Sequence, residues 1–359
     1  MKISKIILVI LSVFSFILSS AQCPTASLTF STQAQIDNFA TTYPGCSVIP
    51  SGIDITITGN NITNLDGLST ITQINGALEI RNNPNLTSIS GLSNLTSLGS
   101  DFIIRSNSSL TTLNGLGSLT AIQGEFTIRT NASLTSIAAL SSLTTTNLDV
   151  IIRDNDALIS LNGLNNITSV GGILEIVQNA LLTDISALSN LAIVTGGDEG
   201  ALVIEDNLAL NNLQGLGNAN TQILGDLIIQ NNPLLSQCAT ISVCNYLNIP
   251  PANAIITIGL NTVGCNSQTE VQNQCVLGIA NNTEHSFKIY PNPVKDILIV
   301  SHTEMISNIS IFNLMGQKVL DKNFEDTTVK MDLSSLPTGT YLVKSVSNNQ
   351  TSSSKIVKQ

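Results

Sequence analysis

The sequence is poor in the residues on which most active sites depend. It has no tryptophan, and aromatic residues make up 4% of its 359 positions, which disfavours a sugar site built on ring stacking. Its only histidines are His285 and His302. The preceding part of the chain therefore lacks a histidine base for a serine or cysteine nucleophile, and it lacks a histidine-rich metal site. We predict a non-enzymatic protein with no catalytic residue, no metal and no cofactor.

Charged residues are also scarce, at 11% of the chain, and the acidic ones predominate. The formal net charge is −10 and the sequence pI is near 4.5. Nucleic acid is an unfavourable partner for such a chain, because its phosphates select clustered lysine and arginine. A catalytic carboxylate pair is the one enzymatic alternative, drawn from Asp149, Asp154, Asp156, Asp198 and Glu199. It is the least favoured interpretation, because acidic residues on an acidic protein are generally solvated.

Long apolar segments are missing after residue 21, so we expect no transmembrane helix in the rest of the chain. Two lysines precede the apolar run from Ile6 to Leu18, which is too short to span a bilayer, and small residues follow it. This pattern predicts a secretory signal peptide over residues 1–21, cleaved before Gln22. The alternative is a lipoprotein modified at Cys23, which we disfavour because Gln22 stands where lipidation requires a small residue.

All six cysteines follow the predicted signal peptide and flank the central part of the chain. They are Cys23, Cys46, Cys238, Cys244, Cys265 and Cys275. An even number in an exported chain predicts disulfide bonds, and zinc is disfavoured because no C-x-x-C pair is present. A Cys23–Cys46 bond would close an N-terminal cap, residues 22–52, and contribute about 3 kcal/mol. The other four lie in a predicted C-terminal cap, residues 237–275. Of their three possible pairings, we favour Cys238–Cys265 with Cys244–Cys275.

Residues 53–236 repeat with a nearly constant period. A unit of the form Leu-x-Ile-x-x-Asn, with Phe or Val in place of some leucines, recurs at intervals of 24, 24, 24, 24, 28 and 25 residues. Its asparagines are Asn83, Asn107, Asn131, Asn155, Asn179, Asn207 and Asn232. A fixed period of this size predicts a solenoid of stacked coils. We expect these asparagines, with Asn60 before them, to form a ladder of amides that bond the backbone of each bend.

Apolar residues identify the inward positions of each coil. In the coil that begins at Ala77 they are Leu78, Ile80, Leu86, Ile89, Leu92, Leu95 and Leu98. Leu78 and Ile80 alternate with polar residues, which predicts a strand. The later spacing of three residues predicts tight turns or short helical bends.

The unit from Leu78 to Leu86 resembles the leucine-rich repeat, with one extra residue after its asparagine. The longer and less regular coil, with cysteines in both caps, is more similar to the receptor L domains of growth-factor receptors. This resemblance covers residues 53–236 and implies a right-handed, β-helix-like solenoid. One coil, at Thr195–Gly200, contains four extra residues. We predict a surface loop there, with a binding edge as the alternative.

Residues 287–359 follow a different pattern, after a predicted linker over residues 276–286. Seven short segments with strand character alternate with turns, which predicts a small Ig-like antiparallel β-sandwich. Three motifs stand out, and their residues are Tyr290, Pro291, Asn292 and Pro293, then Gly316, then Gly339 and Tyr341. These motifs resemble the type A C-terminal sorting domain of type IX secretion.

The sorting-domain resemblance implies a destination outside the cell. Proteins of this kind come from Bacteroidota-type Gram-negative bacteria and cross the inner membrane by an N-terminal signal. They cross the outer membrane through the type IX secretion machinery, which the sorting domain engages. That domain is usually removed as the protein is released or attached to outer-membrane lipopolysaccharide. We therefore expect a secreted or cell-surface protein.

Four arginines occupy the same outward position of consecutive coils. They are Arg81, Arg105, Arg129 and Arg153. Neighbouring guanidinium groups would lie about 5 Å apart at strand spacing and would repel one another by about 1 kcal/mol even in water. The arrangement therefore requires either compensating charges or a ligand.

Two interpretations of this column remain open. The first is local compensation by acidic residues, which are Glu79, Asp154 and Asp156 nearby and Asp101, Glu125 and Asp149 at the other end of the strands. The second is a ligand-binding face, in which the arginines and the flanking Ile103, Thr127 and Ile151 bind an anionic glycan or a carboxylate-rich protein surface.

We predict a secreted, surface-displayed binding or adhesion protein that recognises its ligand on the strand face of the solenoid. The alternative is a structural surface or matrix component without a discrete ligand. An enzyme that processes polysaccharides or peptides is less favoured, for the reasons given by the missing histidines.

Overall fold

A computed structural model describes residues 22–196, 201–218, 221–276, 287–313, 316–347 and 350–359. The contacts within the chain divide it at Ala280 into two compact units. The predicted signal peptide, most of the predicted loop at 195–200 and nearly all of the predicted linker lie outside the described residues. Both units are mainly β, as predicted.

The N-terminal unit consists of short strands and short helices. In chain order they are β1 (Leu28–Phe30), α1 (Gln33–Asp37), α2 (Phe39–Thr42), β2 (Val48–Ile49), β3 (Ile55–Ile57), β4 (Gln73–Ile74), β5 (Leu78–Arg81), β6 (Ser97–Leu98), β7 (Phe102–Arg105), β8 (Ala121–Ile122), β9 (Phe126–Arg129), β10 (Thr145–Thr146), β11 (Val150–Arg153), β12 (Ser169–Val170), β13 (Leu174–Val177), β14 (Ile193–Val194), β15 (Leu202–Glu205), β16 (Gln222–Ile223), β17 (Leu227–Gln230), α3 (Ile241–Asn248), β18 (Ile256–Gly259) and α4 (Gln268–Val276). Short 3-10 helices occupy turns at Asp66–Leu68, Ser90–Leu92, Ala138–Leu140, Ser186–Asn190 and Gln214–Leu216.

These strands form two parallel sheets. The larger has ten strands in the order β1-β3-β5-β7-β9-β11-β13-β15-β17-β18, and the smaller has eight in the order β16-β14-β12-β10-β8-β6-β4-β2. Each inner strand pairs in parallel with its equivalents one coil before and one coil after. The chain therefore winds as a solenoid, which confirms the predicted fold class.

The core of the solenoid is made of aligned aliphatic side chains. The seven inward residues predicted for the coil that begins at Ala77 are all fully buried. Phe102 and Phe126 replace leucines in two successive coils and stack with ring centroids 5.7 Å apart. Each buried leucine or isoleucine contributes about 1.5–3 kcal/mol relative to exposure, and a coil achieves this burial only against its neighbours.

The asparagine ladder follows the larger sheet, and seven of its members are fully buried. The residues at 0% exposure are Asn83, Asn107, Asn131, Asn155, Asn179, Asn207 and Asn232. In the middle of the ladder, Asn131 Oδ1 accepts from the backbone N–H of Asn107 at 3.1 Å, and its Nδ2 donates to the Ile104 carbonyl at 3.0 Å. The buried backbone of each bend thereby finds partners, which confirms the predicted role of these asparagines.

The ends of the ladder differ from the prediction. Asn60 is exposed, and Gly59 takes the equivalent position, where its N–H donates to Asn83 Oδ1 at 2.8 Å. The prediction for Asn60 is wrong because a period of 24 residues counted back from Asn83 reaches Gly59. At the other end the ladder continues to Asn261, whose Oδ1 accepts from the Asn232 N–H at 2.9 Å.

Disulfide bonds close both ends of the solenoid. Cys23–Cys46 joins Cα atoms 4.9 Å apart in front of the first coils. Cys238–Cys265 and Cys244–Cys275, with Cα separations of 5.5 and 5.6 Å, hold the segment that contains α3 and α4. This is the pairing favoured from the sequence. At the N-terminal end, Ile36 and Phe39 of α1 and α2 cover the core.

The C-terminal unit is a five-stranded antiparallel sheet. Its strands are β19 (Lys288–Tyr290), β20 (Ile297–Asn313), β21 (Lys318–Asp332), β22 (Gly339–Ser347) and β23 (Gln350–Lys358). Five strands replace the seven predicted segments, because β20 and β21 continue through register shifts between Ser301 and Asn308. Both halves of the bent β20–β21 hairpin contribute to one buried core, with Leu298 and Met331 from one half and Ile309 from the other.

Candidate ligand-binding face

The larger sheet aligns the four predicted arginines in one column. The Cα register pairs Arg81 with Arg105, Arg105 with Arg129, and Arg129 with Arg153. Each arginine ends its strand, directly before the bend that contains the asparagine ladder. Because parallel neighbours lie about 4.8 Å apart, the arginine column extends over about 14 Å of the solenoid.

Between residues 22 and 286 these arginines are the only lysine or arginine residues. Residues 22–286 contain 18 aspartates and glutamates and no lysine, so their formal charge with the four arginines is −14. Every positive side-chain charge of the predicted mature solenoid therefore lies in one column on one sheet. A random surface distribution would place them on all sides.

Glu79 compensates the first two arginines together. Its Oε2 lies 2.8 Å from Arg81 Nε and its Oε1 lies 2.9 Å from Arg105 Nε. The Glu79 side chain is 24% exposed, so this shared ion pair is partly screened from solvent. The compensation predicted from Glu79 is thus present in the structure.

Arg153, at the other end of the column, has its own partners. Its Nη1 lies 3.1 Å from Glu175 Oε1, and its Nε lies 3.7 Å from Asp154 Oδ2. Gln178 Oε1 also accepts hydrogen bonds from Arg153 Nε and Nη2, at 3.3 and 3.2 Å. Burial raises the pKa of the Glu175 carboxyl above its ordinary value of 4.5, and Arg153 opposes that rise. Sequence reasoning missed Glu175, although it occupies the position of Glu79 four coils later.

Arg129 differs from its three neighbours. Its side chain is exposed, and within the described part of the chain it takes part in no ion pair. Beside it on the same strand, Thr127 is 3% exposed and donates a hydrogen bond to Glu125. Arg129 is therefore the cation of this face that remains available to a ligand.

A second column of outward residues runs beside the arginines, in the middle of the strands. In register it consists of Glu79, Ile103, Thr127, Ile151 and Glu175. Ile103 and Ile151 are half-buried. We call this the middle column, and together with the arginine column it forms the strand face. Its centre is uncharged, and on either side of that centre lie Glu79 and Glu175, which pair with the arginines. The same register continues beyond them to Thr56 and Val203.

The acidic residues at the opposite end of the strands have a structural role. Asp101 Oδ1 accepts the backbone N–H of Glu125 at 2.9 Å, and Asp149 Oδ1 accepts that of Ile173 at 2.8 Å. Each carboxylate thus bonds the next coil where its strand begins. The expectation that this column compensates the arginines receives no support from these contacts.

Another part of the surface carries exposed leucines in the later coils. Leu181, Leu208 and Leu234 follow successive ladder asparagines and are 56%, 53% and 57% exposed. The sequence reasoning gave these residues no role. We call them the leucine strip.

The described residues offer little support for a metal site, a catalytic carboxylate pair or a ligand cavity. Among the described residues, no three histidine, cysteine or acidic side chains are placed to hold a metal ion. Asp198 and Glu199, two of the carboxylates considered for catalysis, lie outside the described residues. A cavity of about 330 Å³ lies in the N-terminal part of the solenoid, beside Phe30, Phe39 and Tyr43. The side-chain oxygen of Gln35, which lines this cavity, accepts hydrogen bonds from the backbone N–H groups of Ser31 and Thr32.

The motif residues of the C-terminal unit hold its turns and its last strand. Asn292 Nδ2 donates to the Lys355 carbonyl at 3.0 Å, and its Oδ1 accepts the Val357 N–H at 2.9 Å. Both neighbouring prolines, Pro291 and Pro293, follow cis peptide bonds. Gly316, with φ of 78°, lies between β20 and β21, and Gly339 begins β22. The Tyr341 hydroxyl donates to the Pro337 carbonyl at 2.9 Å.

Comparison with protein families agrees with both units. The family described as Receptor L domain matches residues 45–114 and 145–248, and the family described as Secretion system C-terminal sorting domain matches residues 288–359. The receptor L match omits residues 115–144, the coil that contains Arg129. A comparison with curated proteins found no match.

The sorting domain also indicates the location of the protein. It directs the chain to the type IX secretion machinery and so to the cell surface or the extracellular space. In the described part of the chain, every helix is too short or too polar to span a membrane. The chain is therefore an exported protein that carries a receptor L domain followed by a type IX secretion C-terminal sorting domain.

Proposed function

We propose that this protein is a non-enzymatic binding or adhesion protein that recognises its ligand on the strand face of the solenoid. The observation that carries the proposal is that every lysine or arginine of residues 22–286 lies in the arginine column. Carboxylates of the chain compensate Arg81, Arg105 and Arg153, whereas the charge of Arg129 is left for a ligand to compensate. The receptor L domain is a ligand-binding fold, which agrees with this role.

The charge of the face indicates an anionic ligand. Guanidinium groups bind carboxylates and sulfates through paired hydrogen bonds, and an acidic glycan or a carboxylate-rich protein surface provides such groups. The remaining surface of the solenoid is acidic, and it repels an anionic partner that approaches from any other side. The strand face is thus the one part of the solenoid where an anionic partner meets positive charge.

Display at the cell surface completes the proposal. After export, the protein remains attached to outer-membrane lipopolysaccharide or is released, and in either case the strand face meets partners outside the cell. Mass spectrometry of the extracellular species tests this part. We expect a mature chain that begins at Gln22 and lacks the sorting domain, and a cell-associated species that retains residues 287–359 would contradict it.

The binding test compares the full chain with an Arg105→Ser/Arg129→Ser variant. We expect the variant to bind acidic polysaccharide arrays or host cells at least about tenfold more weakly, because each lost charge-assisted contact costs about 1.5–3 kcal/mol. A matched control, Asn114→Asp/Asn162→Asp, makes the same change in net charge at exposed positions outside the strand face. It should bind like the wild type. Equal binding by both variants, or equal loss, would contradict a role for the strand face.

The leucine strip favours a second candidate, a structural surface or matrix component without a discrete ligand. Three large aliphatic side chains at successive bends form a surface suited to lateral self-association. Light scattering at increasing concentration distinguishes the two functions. Self-association that Leu208→Asp/Leu234→Asp abolishes, without any ligand bound to the strand face, would favour the structural role. Turnover of a polysaccharide or peptide by the purified chain would favour an enzyme instead.

A further inference from the structure

We infer that the ligand of the strand face is a protein that places a single carboxylate on Arg129 and an apolar side chain on Ile103 and Ile151. This inference rests on the proposed binding function and identifies the partner of the same surface. Three observations support it. They are the ion pairs that the other arginines already form, the order of residues in the middle column, and the open surface of the sheet.

Three of the four arginines already have carboxylate partners within the chain. Arg81 and Arg105 share Glu79, and Arg153 binds Glu175 and lies near Asp154. A ligand that recruited these arginines would have to compete with carboxylates fixed 2.8–3.1 Å away. Arg129 has no such competitor among the described residues. The face therefore offers one free guanidinium group, which matches a single carboxylate better than a chain of closely spaced anions.

Arg129 lies beside the apolar part of the middle column, which has an ion pair on each side. Ile103 and Ile151 lie one coil before and one coil after Thr127, which is itself buried. Beyond them lie Glu79 on one side and Glu175 on the other. Protein interfaces have this composition, with an apolar centre, an arginine anchor and a polar rim that excludes water.

The shape of the face also favours a protein. Its residues come from the middle and end of adjacent parallel strands in continuous register, which form an open sheet surface. Small ligands and sugars are bound chiefly in concave sites with aromatic walls, whereas the middle column here is aliphatic. An extended sheet surface matches a partner that buries many side chains at once.

The test selects peptides on the full chain and then removes each partner group in turn. A phage-displayed library of random dodecapeptides is selected on the wild-type protein. We expect the selected peptides to contain an aspartate or glutamate next to a large aliphatic residue. In calorimetry with synthetic copies, Arg129→Gln should weaken binding about 30-fold, as expected for a central arginine. Arg81→Gln, in the same column but paired, should change it less than about twofold.

Combining a change in the peptide with Arg129→Gln tests whether the peptide carboxylate contacts Arg129. Replacing the peptide carboxylate by its amide should weaken binding to the wild type to the same degree and leave binding to Arg129→Gln unchanged. Arg129 is exposed, so its variants are expected to fold, and circular dichroism verifies this. Soluble polygalacturonate provides the glycan comparison and should not displace the peptides.

The outcomes separate this inference from the function on which it rests. Peptides that Arg105→Ser weakens but Arg129→Gln does not would overturn the role of Arg129 and leave a binding face. Arg129-dependent binding of polygalacturonate that displaces the peptides would overturn the protein partner alone. If Ile103→Asp and Arg105→Ser/Arg129→Ser weaken no ligand at all, the proposed function fails as well.

Discussion

The early and late coils of the solenoid share one framework and differ on their surfaces. Both have the same parallel register, the same asparagine ladder and the same buried aliphatic columns. The strands β5 to β11 present arginines at the positions where β13 to β17 present Val177, Glu205 and Gln230. At the following bends, early coils expose polar residues such as Ser108 where late coils expose Leu208.

The comparison shows that the fold determines the inward residues and leaves the outward residues free to vary. An inward leucine or a ladder asparagine has neighbours on every side, so its identity is fixed by packing and hydrogen bonds. An outward residue has few constraints beyond strand compatibility. The arginines and the exposed leucines therefore carry information about partners, and the four predictions below test whether the two halves are equivalent inside and different outside.

The largest effect is expected from breaking the ladder in either half. Asn131→Ala removes the partner of the buried Asn107 N–H and one hydrogen bond to the Ile104 carbonyl. Asn207→Ala does the same to the Asn179 N–H and the Ile176 carbonyl. We expect each to reduce the free energy of unfolding by about 4 kcal/mol, measured by urea denaturation. Asn60→Ala, at an exposed position outside the ladder, should have almost no effect. Clearly unequal losses at Asn131 and Asn207 would show that the two interiors are not equivalent.

Removing a disulfide should affect the nearer half more than the distant one. Cys23→Ser/Cys46→Ser opens a loop of 23 residues and Cys244→Ser/Cys275→Ser opens one of 31, each with a loss of about 3.5 kcal/mol. Because a solenoid is stabilised coil by coil, hydrogen exchange should accelerate first in the coils next to the opened cap. Uniform acceleration along the whole solenoid would indicate one indivisible cooperative unit instead.

A smaller, pH-dependent effect is expected at Glu175, where the two halves meet. Burial raises the pKa of its carboxyl above 4.5 in the folded state, so the folded protein holds this proton over a range in which the unfolded chain has released it. Stability from this group consequently falls as the pH rises through that range. Relative to Glu175→Gln, the wild type should lose stability between acidic and neutral pH. A parallel pH profile of the two proteins in thermal denaturation would contradict the shift.

The smallest effect on stability is expected from the leucine strip. Leu208→Ser and Leu234→Ser give the late coils the polar character of the early ones and remove no buried contact, so the free energy of unfolding should change by less than about 0.5 kcal/mol. Solubility should increase, because an exposed apolar surface is lost. A destabilisation above 1 kcal/mol in urea denaturation would mean that these leucines belong to the framework.

Much of the framework follows from the sequence, because a solenoid repeats the same requirement in every coil. The inward residues from Leu78 to Leu98 and the ladder from Asn83 to Asn232 were identified from spacing alone. Where one coil departs from the average, spacing is less informative. Gly59 performs the first step of the ladder through its backbone, so no side chain marks the position. Asn261 has the expected Ile-x-Ile-x-x-Asn context, and only its longer interval from Asn232 hid it.

The sequence predicted where the arginine column lies, but it did not predict which arginine lacks an ion pair. Register on one sheet follows from the period, so the arginine column could be expected. Which arginine remains unpaired depends on side-chain direction: Glu79 lies between two guanidinium groups, while Asp156 makes no ion pair in the described part of the chain. In the C-terminal unit, strand lengths were underestimated because bulges let β20 continue past the residues that interrupt its pattern.

The absence of lysine from residues 22–286 has a consequence for survival outside the cell. Proteases of the trypsin type cleave after lysine or arginine in segments that can unfold locally into the enzyme's cleft. The only candidate bonds in this stretch follow four strand-end arginines. Three of them are paired with neighbouring coils on both sides, and Arg81 is paired on one side. A surface protein built this way presents such enzymes with no loose target, and it can remain intact in surroundings rich in digestive activity.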